Sequence, residues 1–143
     1  MALKQIDHGT DDYQLMVSLR YEILRKPLGL TFSPEDLEKE KDDILIAAFE
    51  DDIMLGCCML TTTAPDTVRL RQMAVRNNLQ GKGIGQAIIS FAEKLARHKG
   101  YKTITMHARD SALGFYERCG YQVKGDQFVE VSVPHHLMEK GLV

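Results

Sequence analysis

The residues with the clearest chemical potential lie in a glycine-rich turn. Positions 80–85 read QGKGIG, that is Gln80, Gly81, Lys82, Gly83, Ile84 and Gly85. An amphipathic helix follows, because apolar residues recur at helical spacing at Ile84, Ile88, Phe91 and Leu95. The first N–H groups of a helix lack intrahelical acceptors and lie at its positive end, so they bind anions. The turn therefore predicts a phosphate or pyrophosphate site.

Three phosphate-binding signatures compete for this turn. A P-loop requires G-x-x-x-x-G-K-[ST], but Gly83 follows Lys82, and Arg76 stands where the first glycine belongs. A dinucleotide fold requires G-x-G-x-x-G, whereas these glycines are spaced G-x-G-x-G. A third pattern, [QR]-x-x-G-x-[GA], is satisfied at every specified position. The spacing favours the third pattern.

The flanking sequence predicts the elements that position the turn. Strand-like runs lie at 3–6, 44–49, 53–62, 67–75, 102–108, 121–124 and 128–133. The second, third and fourth runs predict an antiparallel meander. Because a helix separates 67–75 from 102–108, these two runs are expected to pair in parallel. The last two runs are predicted to be separate strands around Gly125 and Asp126, and the tail from Pro134 could add one more.

Composition restricts the class of protein. At 143 residues, the chain is expected to form one domain spanning residues 1–143. Its 18 basic and 20 acidic residues argue against non-specific binding to nucleic acid or to an anionic membrane. No apolar run approaches the ~20 residues of a membrane-spanning helix. Cys57, Cys58 and Cys119 form neither a disulfide framework nor a zinc spacing, which predicts no metal and a reduced, cytoplasmic compartment.

A second motif follows the predicted parallel strand. The pattern N-x-x-A-x-x-x-Y-x-x-x-G-[FY] is matched at Ala112, Tyr116, Gly120 and Tyr121, and Arg109 replaces its asparagine. With both motifs in this order, essentially the full chain resembles the GNAT superfamily of acetyl-CoA-dependent N-acetyltransferases. The resemblance implies an α/β (α+β) domain flanked by helices. Its mixed central sheet would be splayed between the strand before the glycine-rich turn and the next parallel strand.

The end of the chain resembles one branch of that superfamily. F-x-E at Phe128 and Glu130, followed by P-H-x-x-M from Pro134 to Met138, is similar to the ElaA-like branch. Within this ending, Glu130 and His135 are the candidate general bases, since carboxylates and imidazoles accept protons from ammonium groups. A relay through water, with Glu130 and His135 in structural roles, is the alternative.

The resemblance also assigns the donor side of the reaction. Tyr116 would protonate the departing thiolate, because a phenol has a pKa of about 10 and a thiol of about 8.5. Backbone groups near Ala74 would hold the pantetheine arm and polarise the acetyl carbonyl. The expected acetyl-CoA contacts are Met73, Ala74, Val75, Gln80, Gly81, Lys82, Gly83, Ile84, Gly85, Arg109, Ala112 and Tyr116.

The sequence says less about the residues that would bind the acceptor. Arg20 and Arg25 lie where the superfamily shapes its acceptor pocket, and guanidinium groups there would favour an acidic or phosphorylated acceptor. A solvated helix face is the alternative for both. The predicted reaction is direct acetyl transfer to a primary amine of a small molecule or peptide, and a homodimer is expected by resemblance. The rival hypothesis is a non-catalytic acyl-CoA-binding module.

Overall fold

Seven strands form one mixed sheet in the computed structural model, which describes residues 1–143. They are β1 Ala2–Ile6, β2 Ile44–Glu50, β3 Ile53–Ala64, β4 Thr67–Val75, β5 Thr103–Arg109, β6 Gln122–Glu130 and β7 Val133–Gly141. Their order across the sheet is β1-β2-β3-β4-β5-β7-β6. Only β4 and β5 pair in parallel, and every other neighbouring pair is antiparallel. The predicted α/β fold, meander and parallel pair are confirmed.

Four α-helices cover the two faces of the sheet. They are α1 Asp11–Arg20, α2 Pro34–Glu38, α3 Ile84–His98 and α4 Leu113–Arg118. The Thr10 side chain caps α1 by accepting a hydrogen bond from the Tyr13 N–H. A π-helical segment, Tyr21–Arg25, extends α1. None of the helices combines the length and the apolar character needed to cross a lipid bilayer.

Each face of the sheet has its own apolar core. Along β2, Ile46 packs in the core beneath α3, and its neighbour Leu45 packs in the core beneath α1. Consecutive side chains of a strand point to opposite faces, and a strand covered on both sides is therefore apolar throughout. Cys57 and Cys58 divide between the same two cores, and burial raises the pKa of the Cys57 thiol to about 12. These thiols are packing residues.

The sheet opens between β4 and β5. Their parallel register runs from Thr67 opposite Thr103 only as far as Leu70 opposite Met106. Beyond that point β4 continues along β3, while β5 continues along β7 to Arg109. The facing edges of both strands therefore have no strand partner over their last residues. This is the splay that the family resemblance implied.

A bulge in β4 changes which side chains face each core. Gln72 has a positive φ of 56°, a conformation that side chains with a Cβ rarely adopt. Leu70 and Met73 are three residues apart, yet both pack in the core beneath α3, whereas Ala74 belongs to the core beneath α1. One extra residue in a strand produces this reversal of alternation.

The last hairpin differs from the sequence prediction. The expected break at Gly125 and Asp126 is wrong, because β6 runs through it with a register shift between Lys124 and Phe128. The reversal lies instead at Val131 and Ser132, with φ values of 46° and 64°. A two-residue turn with two left-handed residues matches the twist of the flanking strands. The usual glycine signature is absent from this turn, which explains the error.

Arg20 does not reach a substrate pocket, in contrast to its predicted role. Its side chain is fully buried, and its Nη1 and Nη2 donate to Glu40 Oε1 and Oε2 at 2.7 Å each. The Tyr13 hydroxyl also donates to Glu40 Oε1, at 2.8 Å. The Glu40 carboxylate thus compensates the Arg20 charge inside the protein. Arg20 joins α1 to the segment after α2.

Replacing Glu40 by glutamine should destabilise the fold. The substitution leaves the buried Arg20 charge without a counter-charge, and breaking such a pair costs about 3–5 kcal/mol. We expect a loss of this size in the free energy of unfolding, measured by urea denaturation. Glu38→Gln is the matched control, because Glu38 is exposed and its change should stay within about 0.5 kcal/mol. Equal stability of both variants would contradict this role.

Candidate active site

A cavity of about 690 Å³ passes through the opening between β4 and β5. Its lining comes from both faces of the sheet. On the face of α3 and α4 it is lined by Ile84, Gly85, Phe115 and Tyr116, and on the face of α1 by Ile23, Leu24, Arg25 and Arg71. A volume of this order is typical of small-molecule and cofactor sites. The splay thus connects two surfaces that an intact sheet would separate.

The glycine-rich turn forms one mouth of this cavity. Gly81 and Gly83 both have a φ of 81°, and no atom lies within 4 Å of an added Cβ at either residue. The Gln80 Nε2 donates to the Val75 carbonyl at 3.2 Å, which ties the turn to the end of β4. Gln80, Gly81, Ile84 and Gly85 line the cavity, whereas Gly83 caps α3 and Lys82 is exposed. Free N–H groups of the first turn of α3 therefore lie at this mouth.

The predicted donor contacts on the two strands meet along the opening. Met73, Ala74 and Val75 line it from β4, and Arg109 and Ala112 line it at and after the end of β5. Because β4 has no partner on this side, its backbone N–H and C=O groups are available to a bound chain. Buried backbone groups rarely remain unpaired in native proteins.

Arg109 occupies the place of the asparagine in the family motif. Its Nη2 donates to the Leu24 carbonyl at 3.1 Å, across the cavity mouth on the α1 side. The guanidinium thereby links the end of β5 to the segment that follows α1. This contact places Arg109 between the two faces of the sheet that the cavity connects.

Tyr116 lies on α4 with only 7% of its surface exposed. Its ring packs edge-on against Phe115 and Tyr121, with centroid distances of 5.1 and 6.1 Å. Burial, reinforced by nearby Cys58 and Cys119, raises the pKa of the Tyr116 phenol. The hydroxyl therefore stays protonated at neutral pH in a side chain that lines the cavity.

Glu130 and His135 come together across the last hairpin. The His135 Nδ1 lies 2.7 Å from the Val133 carbonyl. Since a carbonyl oxygen only accepts hydrogen bonds, Nδ1 carries the proton and the neutral ring has its lone pair at Nε2. That nitrogen lies 3.8 Å from Glu130 Oε2. Two proton acceptors thus face each other across a gap that an N–H or O–H group could bridge.

Two residues of this cluster were missed by sequence reasoning. His107 Nδ1 lies 3.0 Å from Glu130 Oε1, and Arg69 Nη2 lies 2.8 Å from the same nitrogen. Burial opposes ionisation of Glu130, but the hydrogen bond with His107 and the charges of His107 and Arg69 outweigh it and lower the pKa of the carboxyl. Glu130 is therefore ionised at neutral pH.

A sequence signal for the missed residues did exist. Arg69 and Arg71 alternate on β4, and His107 occupies the matching face of β5. The predicted parallel pairing of these strands would have placed the three side chains on one face. Groups of three or more His, Cys, Asp or Glu side chains arranged to hold a metal ion are not found.

Arg25 is the predicted acceptor residue that does line the cavity. Its guanidinium lies over the Phe32 ring, 4.7 Å from the centroid, and its Nη1 donates to the Leu24 carbonyl at 3.3 Å. Burial and the positive charges of Arg20, Arg109 and Arg71 lower the pKa of Arg25. The aromatic ring fixes the direction of a guanidinium that has no carboxylate partner.

Comparison with known proteins places this geometry in a family. Residues 30–142 match the model of the acetyltransferase (GNAT) domain. The chain belongs to the GNAT acetyltransferase family. Probable N-acetyltransferase 14 of Xenopus tropicalis is 30% identical over 115 residues, which cover 77% of this chain and 55% of that protein. The first curated relatives are matched over only 51–64% of their lengths.

Solved structures of GNAT proteins share the fold over the whole chain. A Lactobacillus plantarum protein has a TM-score of 0.87 at 23% identity, with 100% of both chains covered. An aminoglycoside 6'-N-acetyltransferase complexed with coenzyme A has a TM-score of 0.85 at 17% identity, covering 100% of this chain and 98% of that one. ElaA of Escherichia coli is also similar, with a TM-score of 0.84 at 16% identity over 97% of this chain and 98% of that one. At this identity the likeness concerns the fold, and the ElaA-like branch stays a prediction.

Replacing His107 by phenylalanine should raise the pKa of Glu130. The aromatic ring preserves packing against Phe128, but it removes the hydrogen bond and the charge that favour the carboxylate. The titration is followed by carbon-13 NMR of the glutamate side-chain carboxyls. His98→Phe, at the exposed end of α3, should leave Glu130 unchanged. An identical Glu130 titration in both variants would contradict the proposed contact.

Proposed function

We propose that this protein is an N-acetyltransferase that moves the acetyl group of acetyl-CoA to a primary amine. The observation that carries the proposal is the cavity through the splayed sheet. It joins the glycine-rich turn on one side to Tyr116 and the pair of Glu130 and His135. Membership of the GNAT family and the coenzyme A complex of a similar fold support the same reaction.

The residues around the opening fit an acyl-CoA donor. The turn from Gln80 to Gly85 offers unhindered backbone N–H groups at a helix N-terminus, which suit a pyrophosphate. The free edge of β4 at Met73–Val75 suits the amide groups of a pantetheine arm, which would pair with it as a strand does. Arg109, Ala112 and Tyr116 line the same space. When bound, acetyl-CoA supplies an acetyl group already activated as a thioester.

The proposed reaction is a direct transfer. A bond forms between the acceptor nitrogen and the acetyl carbon, and the bond from that carbon to sulfur breaks. The N–H groups near Ala74 stabilise the charge that develops on the carbonyl oxygen. Holding both reactants in one cavity supplies much of the rate. The two remaining tasks are proton transfers, and the structure offers a separate group for each.

The pair of Glu130 and His135 is suited to accept the acceptor's proton. Nε2 of His135 and Oε2 of Glu130 face each other at 3.8 Å, and both are proton acceptors. An acceptor ammonium or a water that lies beside both atoms would donate to both. His107 Nδ1 lies 3.0 Å from the other oxygen of Glu130 and the Arg69 guanidinium lies 3.8 Å from it, and these contacts orient the carboxylate. The proton leaves nitrogen by this route, directly or through water.

Tyr116 is suited to supply the proton to sulfur. Burial raises the pKa of its phenol, but a thiolate released in the same buried space is destabilised by the same lack of water. The phenol therefore remains a suitable proton donor to that sulfur. It does not ionise before the reaction, because its hydroxyl stays neutral at physiological pH. Thiol and amide are then the two products.

The rival function is an acyl-CoA-binding module without turnover. It would use the same turn and the same β4 edge, but it would not require a proton donor beside the sulfur or a base beside the amine. Tyr116 and the pair of Glu130 and His135 therefore favour the enzyme. The acceptor is predicted to be a small molecule or a peptide. The homodimer and the cytoplasmic location also stay predictions.

The first test is Tyr116→Phe. We expect thiol release from acetyl-CoA with an amine panel to fall by about a hundredfold in kcat, because the proton donor is lost. The affinity for coenzyme A, measured by calorimetry, should change little. Tyr101→Phe is the control, since the Tyr101 hydroxyl bonds to Thr62 outside the cavity. Tight coenzyme A binding without thiol release from any amine by the unmodified protein would favour the binding module.

The second test is Glu130→Gln. At neutral pH we expect kcat/KM for an amine to fall by about a hundredfold. The loss should shrink as the pH rises, because a growing share of the amine is already neutral and needs no base. Glu139→Gln, on β7 outside the cavity, should follow the unmodified protein at every pH. A loss that is constant across pH would argue against a role as base.

A further inference from the structure

Three arginines on the α1 side of the cavity form no ion pair with a carboxylate. Arg25, Arg71 and Arg109 line the cavity, and no carboxylate oxygen lies within 4.0 Å of their nitrogens. The arginine ion pairs in this protein involve Arg20, Arg69 and Arg97 instead. We name Arg25, Arg71 and Arg109 the arginine cluster. Partly buried charges are normally paired, so an unpaired group of three is unusual.

The cluster is held in place by neutral groups. Arg25 Nη1 and Arg109 Nη2 both donate to the Leu24 carbonyl, at 3.3 and 3.1 Å. Arg71 Nη1 lies 3.4 Å from the Thr61 hydroxyl. These contacts orient the guanidinium groups without neutralising them. Burial and the positive charges of Arg20, Arg109 and Arg71 lower the pKa of Arg25.

The rest of the cavity does not balance this charge. Glu130 is the single carboxylate among the lining residues, and His107 and Arg69 already occupy its Oε1. Gln72, which also lines the cavity, has a buried Oε1 without a hydrogen-bond partner in the protein. Positive charge and one unpaired hydrogen-bond acceptor, Gln72 Oε1, therefore lie at the α1 mouth. A ligand with an anionic group for the guanidinium groups and a hydrogen-bond donor for Gln72 would satisfy both.

We propose that the arginine cluster binds an anionic group of the acceptor, so that the substrate is a small molecule carrying both a primary amine and a carboxylate or phosphate. Guanidinium groups pair with such oxyanions through two parallel hydrogen bonds, which fixes orientation as well as affinity. The anion held at the cluster would direct the amine toward Glu130 and His135. This inference rests on the proposed acetyl transfer for the role of the amine.

The phosphates of the donor are not the anion that the cluster fits. The glycine-rich turn lies on the face of α3, where its N–H groups form the opposite mouth of the cavity. Arg71 precedes the bulge and pairs in register with Met59, whose side chain packs beneath α1. The sheet therefore separates the two anion sites. Coenzyme A affinity should therefore be independent of Arg25 and Arg71, whereas Arg109 lies at the end of β5 within reach of both ligands.

The test compares acceptors that differ only in charge. Thiol release is measured with a series of ω-amino acids, the matching ω-aminoamides and the matching aminoalkylphosphonates. The remote position of the anion keeps the amine pKa similar within each set. We expect kcat/KM for one anionic series to exceed that of the amides by about tenfold or more. The better of the two anionic series identifies carboxylate or phosphate.

Arg71→Gln and Arg25→Gln should each reduce this preference by about tenfold, mainly through KM, and leave coenzyme A affinity unchanged. Arg118→Gln is the matched control, because it removes the same charge from an exposed arginine outside the cavity. A second readout needs no turnover: the amine-free carboxylates and phosphonates should raise the melting temperature of the unmodified protein, and should not do so in Arg71→Gln.

The outcomes separate the two proposals. Thiol release that is equal for anionic and neutral acceptors overturns the anionic acceptor and leaves the acetyltransferase standing. Weaker coenzyme A binding in Arg71→Gln also overturns it, because the cluster would then hold the donor. Anion binding that depends on Arg71, without thiol release from any acceptor, supports the anion site and overturns the enzyme.

Discussion

The early separation of β4 from β5 is the constraint on which the candidate site depends. Parallel pairing ends at Leu70 and Met106, because each strand then follows its antiparallel neighbour on the outer side. An intact sheet would bury both edges and separate the helices of one face from those of the other. The opening exposes a backbone edge and connects the two faces. The proposed donor and acceptor can therefore meet inside the sheet, at the free edge of β4.

Strain and irregularity are concentrated around this opening. Gln72 and Val131 line the cavity, and both have positive φ values. A β-branched residue such as Val131 is costly in this conformation, and such strain persists only where the surroundings fix it. On either side of Gln72 in the bulge, Arg71 lies on the face of α1 and Met73 packs on the face of α3. The tight turn brings Glu130 and His135 together at one end of the hairpin.

Charge compensation distinguishes Arg20 from the arginine cluster in this protein. Arg20 is fully buried, yet Glu40 meets it with two hydrogen bonds of 2.7 Å, and the pair stabilises the packing of α1. Arg25 ends the π-helical extension of α1, and its neighbours are an aromatic ring and a carbonyl. The two residues look equivalent in the sequence. They differ because the tertiary structure brings the Glu40 carboxylate, from the segment after α2, to Arg20 and not to Arg25.

The sequence by itself predicted most local elements and the residues of the proposed donor side. The glycine spacing, the helical stripe of α3 and the Tyr116 motif are local patterns, and strand alternation predicted the sheet on which they lie. The tertiary structure decided the composition of the proposed acceptor side, because residues from the α1 extension, β4, β5 and the last hairpin converge there. The pairing of β4 with β5, which are distant in the sequence, brings Arg69, Arg71 and His107 to one face of the sheet. The electrostatic environment of a side chain depends on such distant neighbours, and it cannot be derived from the spacing of residues in the sequence.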